Sequence, residues 1–98
     1  MKPKFALGHI VSTPGALHAM GQAHQSPAFF LDQHAAGIWG RLCDEDKQRN
    51  ERHLIDGERL LSTYRTLLGA DIVILTTEDR SCTMIMLSEE YWNGPCND

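Results

Sequence analysis

The stretch Glu58-Arg59-Leu60-Leu61-Ser62-Thr63-Tyr64-Arg65-Thr66-Leu67-Leu68 decides the architecture, because two periods run through it. Leu60, Leu61, Tyr64, Leu67 and Leu68 fall at helical spacing. Leu60, Ser62, Tyr64 and Thr66 also alternate with Leu61, Thr63, Arg65 and Leu67, and Ser62-Thr63-Tyr64 favours a strand. Periodicity alone leans towards helix. If the stretch is a strand, it opens a ribbon with the segments C-terminal to it. If it is a helix, the chain is helical almost to residue 70.

The segments beyond residue 70 are less ambiguous. Asp71 to Thr77 contains Ile72-Val73-Ile74-Leu75, unbroken and β-rich. Glu78-Asp79-Arg80-Ser81 is a polar four-residue connection. Cys82 to Ser88 returns with Thr83, Ile85 and Leu87 on one face and Cys82, Met84 and Met86 on the other. Both faces are fairly apolar, so helices or another chain should cover one side, and a homodimer could bury the Met84 and Met86 side.

Towards the N-terminus, Phe5 to Ser12 alternates and predicts a strand. Thr13-Pro14 and Ser26-Pro27 each predict a helix start. A hydroxyl at the N-cap accepts an unpaired backbone N–H, and proline at the first helical position lacks a donor that is not needed there. The first helix should end at Gly21, and the second should run from Ala28 to Ala36 with Gly37 after it. A third helix starts at Asp44-Glu45-Asp46, whose charges suit a helix N-terminus. It should pair Glu45 with Arg49, bury a thin edge through Leu42, Leu54 and Ile55, and stop at Gly57. Tyr91 onward looks irregular. This gives one domain over residues 1–91 and a tail over 92–98.

Length and charge bound the function. The chain has 98 residues and a net charge of −4, enough for one modest core and too little for a full cofactor-binding fold beside a second domain. No apolar run is long enough to span a membrane, and the start is too polar for a signal peptide, so a cytoplasmic protein with no membrane partner is expected. Cys43, Cys82 and Cys96 are odd in number, widely spaced and lack a C-x-x-C pair, which argues for free thiols. Residues 60–98 carry two basic and six acidic groups, so autonomous nucleic-acid binding is not expected.

At this point the chain resembles a group of short bacterial proteins encoded on plasmids and integrative elements, the plasmid-related proteins. The residues that carry the resemblance are Gly8-His9-Ile10-Val11-Ser12-Thr13-Pro14-Gly15-Ala16, Trp39-Gly40 with Asp46 and Asn50, Ser62 with Tyr64, and Thr77-Glu78-Asp79-Arg80-Ser81 through Glu89-Glu90-Tyr91. The resemblance implies that residues 58–66 form a strand. The expected fold is therefore α+β: an N-terminal strand, three short helices and a three-stranded antiparallel meander. It also implies a mobile-element setting, in which small accessory proteins serve maintenance or counter host defence. It transfers no catalytic residue.

Candidate sites are set by residue types. Glu78, Asp79, Arg80 and Ser81 place two carboxylates, a guanidinium and a hydroxyl on one tip, suited to docking a protein partner because arginine makes directional contacts. Tyr91 and Trp92 add an aromatic contact patch. The expectation is a non-enzymatic binding protein with no cofactor, acting on a protein partner; its sharpest version is a host-defence target such as a restriction or CRISPR complex. The alternative is a small metal-binding or hydrolytic domain. It would use His9, His18, His24, His34 and His53 together with the Asp46/Asn50 helix face, supplemented by Glu45 and Glu58. Cys43 and Cys82 are the candidate nucleophiles, although Cys82 reads better as a small buried hydrophobe.

Overall fold

The computed structural model describes residues 2–92, with Trp92 described by its backbone alone. The order is β1 (His9–Ser12), α1 (Pro14–Gln22), α2 (Pro27–Ala35), α3 (Asp44–Asp56), β2 (Leu60–Arg65), β3 (Asp71–Thr76), β4 (Cys82–Leu87) and α4 (Ser88–Trp92). The fold is α+β. The stretch from Leu60 to Arg65 is a strand, and Leu60, Ser62 and Tyr64 are buried on alternate positions. Its helical spacing yields to tertiary pairing. Leu60 lies opposite Thr76, Ser62 opposite Ile74 and Tyr64 opposite Ile72.

The meander β2-β3-β4 is antiparallel, as expected, but it is not the whole sheet. β1 adds to β4 in parallel, with Ile10 beside Thr83 and Ser12 beside Ile85, giving four strands in the order β1-β4-β3-β2. The helix count is four rather than three, because Ser88 to Trp92 winds into a short turn of helix where an irregular tail was expected. Residues 93–98, including Cys96, lie outside the described residues.

One face of the sheet carries the core. Ala16 and Met20 from α1 and Phe30 and Leu31 from α2 pack on Tyr64, Ile72, Ile74 and Ile85, with Leu7 and Leu87 at the margin. Fully burying side chains of this size contributes about 1.5–3 kcal/mol each. On the other face, register places Val11, Met84, Leu75 and Leu61 in a row across all four strands. Val73 and Met86 on that face are buried, whereas Val11 and Met84 are each 37% exposed.

The helix starts hold as read. Thr13 Oγ1 accepts the Ala16 N–H at 3.1 Å, and Pro14 and Pro27 open their helices, although Ser26 makes no side-chain cap. Other details differ. α1 continues past Gly21 to Gln22, and the chain turns at His24, which takes φ +55°. α3 keeps only Asn50 buried: Ile55 is 86% exposed, since the helix packs along the edge of β2 rather than over the sheet. Arg49 pairs with Asp46 at 3.0 Å, one residue closer than the expected Glu45, because the Asp46 carboxylate lies a turn below it.

The outer edge of β2 is closed by the chain itself. Arg41 N–H donates to Thr63 O at 2.8 Å and Thr63 N–H donates to Trp39 O at 3.3 Å. Gly40 sits between them at φ +76°, where a Cβ would overlap Thr63 O, so only glycine permits this approach. Asn50 continues the closure. Its Nδ2 donates to Leu61 O at 2.6 Å, and its Oδ1 accepts the Leu61 N–H at 3.3 Å.

Candidate functional site

The strongest chemical constellation is built on His34, named from the sequence only as one of five candidate metal ligands, and its partners were not among the expected sites. His34, on α2, is fully buried and bonded at both ring nitrogens. Nδ1 meets Ser62 Oγ on β2 at 2.5 Å, and Nε2 meets Thr76 Oγ1 on β3 at 2.8 Å. Thr76 Oγ1 meets Thr83 Oγ1 on β4 at 2.8 Å, and Thr83 Oγ1 donates to Leu7 O at 2.7 Å.

The last bond fixes the direction of every proton in the network. The single Thr83 hydrogen goes to Leu7, so Thr83 accepts from Thr76. The single Thr76 hydrogen is then committed, so Thr76 accepts from His34 Nε2–H. Nδ1 is left as an acceptor, and Ser62 donates to it. His34 is therefore the neutral Nε2–H tautomer. Burial holds its pKa at about 3, with the positive charge of Arg80 adding to the effect.

A serine bonded to a histidine that a third residue orients is the connectivity of an activated nucleophile. Here it is sealed. Ser62, Thr76 and Thr83 are fully buried with His34, so no substrate atom reaches Ser62 Oγ. The seal is the N-terminal segment. Lys4 N–H donates to Ala35 O at 2.7 Å, and the Phe5 ring meets His34 edge-on at 5.2 Å and stacks on Trp39 at 6.2 Å. Tyr64 closes the same layer by donating to Ile38 O, and burial raises its phenol to about 12. The arrangement is a polar scaffold inside the core.

The Glu78-Asp79-Arg80-Ser81 turn divides its residues between two uses. Arg80 adopts φ +60° and turns its guanidinium inward. Nη1 donates to Glu58 O at 2.6 Å and Thr77 O at 3.0 Å, and Nη2 donates to His53 O at 3.1 Å, in the last turn of α3. A cation there answers the dipole at the C-terminal end of α3. The same guanidinium lies 5.7 Å from the Phe5 ring centre, over the seal. Glu78 and Asp79 remain exposed. Asp79 Oδ1 collects the Thr77 hydroxyl, the Ser81 N–H and the Ser81 hydroxyl, and these bonds, led by the Ser81 hydroxyl, lower its pKa. Tyr91 is half-buried on α4, and the Trp92 side chain lies outside the described residues.

The metal and hydrolase alternative is not assembled. Among the described residues, no group of three or more His, Cys, Asp or Glu is placed to hold a metal ion. Asn50 faces the β2 backbone and Asp46 faces Arg49, so the Asp46/Asn50 face does not form a cluster. Cys43 is exposed, and Cys82 is partly exposed rather than buried.

Large apolar groups stand on the surface where none was expected. The turn between β2 and β3 holds Leu67 at 81% and Leu68 at 69% exposure. This turn is fastened by Thr66 N–H to Ala70 O at 2.8 Å, Gly69 N–H to Thr66 O at 2.9 Å, Ala70 N–H to Thr66 Oγ1 at 3.0 Å and Leu67 N–H to Gln25 Oε1 at 2.9 Å. Phe29 on α2 is exposed as well. No helix among the described residues is long and apolar enough to cross a membrane. No family model, curated protein or solved structure matches the chain.

Proposed function

We propose that this chain is a non-enzymatic binding protein of the cytoplasm that acts by protein–protein contact. The observation that carries the reading is the Leu67-Leu68 tip, two consecutive leucines held in solvent by a turn fastened with four hydrogen bonds. A tip that is ordered in advance loses little conformational entropy when a partner covers it. Exposed apolar groups of this kind mark contact sites. The side chains with catalytic potential point the other way, since His34, Ser62, Asn50 and Arg80 all serve internal bonds.

Glu78 and Asp79 lie at the opposite end of β3 from this tip and offer a second, acidic contact. Tyr91 and Trp92 extend the proposed partner surface along α4. The resemblance to plasmid-related proteins supplies the partner class: a component of a host-defence complex, of the restriction or CRISPR kind. A cell carrying such a system is transformed with a targeted plasmid, with and without the chain. The reading expects transformation to rise at least tenfold with the native chain and to return to baseline with Leu67→Ser combined with Leu68→Ser, while circular dichroism shows the variant folded. A native chain that changes nothing, and that captures no stoichiometric protein from the same cells, overturns it.

A further inference from the structure

Self-association is one protein–protein contact that the sheet itself specifies, and it rests on the reading that the chain acts through such contacts. The two edges of the sheet are treated differently. The β2 edge is closed by Trp39, Arg41 and the Asn50 amide. The β1 edge carries no strand beyond it among the described residues, and its sequence His9-Ile10-Val11-Ser12 has no lysine, proline or acidic residue of the sort that guards an open edge. Ile10 is 44% and Val11 37% exposed.

We infer that β1 pairs antiparallel with β1 of a second copy, joining two four-stranded sheets into one, with Val11 on the twofold axis. Hydrogen-bond direction selects this register. His9 N–H donates to Ser81 O at 2.8 Å and Thr13 N–H donates to Ile85 O at 2.9 Å, so residues 9, 11 and 13 face β4. Ile10 and Ser12 therefore turn their N–H and C=O groups outward. With Val11 opposite Val11, each Ile10 exchanges both bonds with Ser12 of the other copy, making four in all. Centring on Ile10 instead gives only one exchanging pair and sets Ser12 opposite Gly8, whose φ of +68° departs from the strand.

Side-chain chemistry supports the same register, because an imidazole N–H is a donor and a carboxylate an acceptor. It places His9 of each copy opposite Thr13 of the other. The Thr13 hydroxyl donates to Glu90 Oε1 at 2.7 Å, so the exposed imidazole of one copy meets the exposed carboxylate of the other, twice by symmetry. The Val11 pair also joins the Val11–Met84–Leu75 row of each sheet across the seam. A second copy thus satisfies the backbone, the apolar row and these polar side chains together.

The test is disulfide trapping with the purified chain alone. A non-hydrogen-bonded antiparallel pair sets its Cα atoms about 4.5 Å apart, within disulfide range. Under mild oxidation, Val11→Cys is expected to form a covalent dimer at least tenfold faster than Ile55→Cys, an exposed site elsewhere, or than the native chain with its own thiols. Peptide mapping should show the bond at position 11. Ile10→Cys should not exceed the Ile55→Cys rate. Linking by Ile10→Cys in place of Val11→Cys, or by neither above the Ile55→Cys rate, overturns the proposal. Because no other protein is present, such a failure is separate from failure to bind a host-defence component.

Discussion

Acidification from pH 7 to pH 5 should destabilise this chain through one residue, His34. In the unfolded chain the imidazole has the ordinary pKa of 6.5, and in the fold burial and Arg80 hold it at about 3. Between those values the unfolded state binds a proton that the folded state does not. Stability therefore rises with pH across this window and is lost as pH falls. Full separation amounts to about 1.4 kcal/mol per pH unit. Integrating from pH 7 to pH 5, where the unfolded imidazole goes from mostly neutral to mostly charged, gives a loss of about 2 kcal/mol. The comparison is with His34→Gln, whose amide bonds to the same hydroxyls but does not titrate. Urea denaturation of both proteins at the two pH values gives the difference directly. The native chain should lose about 2 kcal/mol more than the variant. Equal losses would refute the assignment of His34 as a neutral, buried imidazole.

Three other perturbations have defined outcomes. Thr83→Val leaves Leu7 O and the Thr76 hydroxyl without their partners and should cost about 1–3 kcal/mol in denaturant unfolding; the Thr76→Val/Thr83→Val pair should cost less than the sum of its singles. Gly40→Ala drives a methyl into Thr63 O and should cost about 3 kcal/mol or more, whereas Gly57→Ala, with the same φ of +76° but open space around it, should cost about 1 kcal/mol by thermal melting. Arg80→Met removes three carbonyl bonds, to Thr77, to Glu58 and to His53 in the last turn of α3, so a loss of about 2–3 kcal/mol is expected, together with an upward shift in the His34 titration seen by NMR.

Local signals in the sequence were legible where the physics is local. Thr13-Pro14 and Ser26-Pro27 mark helix starts because proline and a capping hydroxyl act within one turn. The β3–β4 hairpin is legible because alternation and a polar connection suffice. The Leu60–Arg65 strand was not, since its spacing fits either period and only pairing with β3 decides between them. The parallel place of β1 has no local signature, because its partner lies some seventy residues along the chain. His34 had a faint one: it shares a helical face with Phe30 and Leu31, all three buried. Nothing near it announces Ser62, Thr76 or Thr83, which three separate strands deliver. Arg80 reads as an exposed turn residue because the turn has no glycine; the left-handed conformation that aims it inward falls to the arginine itself.

The most direct test of the sealed core is the nitrogen spectrum of the His34 imidazole, recorded from pH 7.5 down to pH 5. The account predicts one neutral ring protonated at Nε2, with no titration over that range and slow exchange of its proton with water. An imidazole that titrates near 6.5, or one protonated at Nδ1, would mean that the Ser62–His34 pair opens to solvent, and the non-enzymatic reading would fall with it.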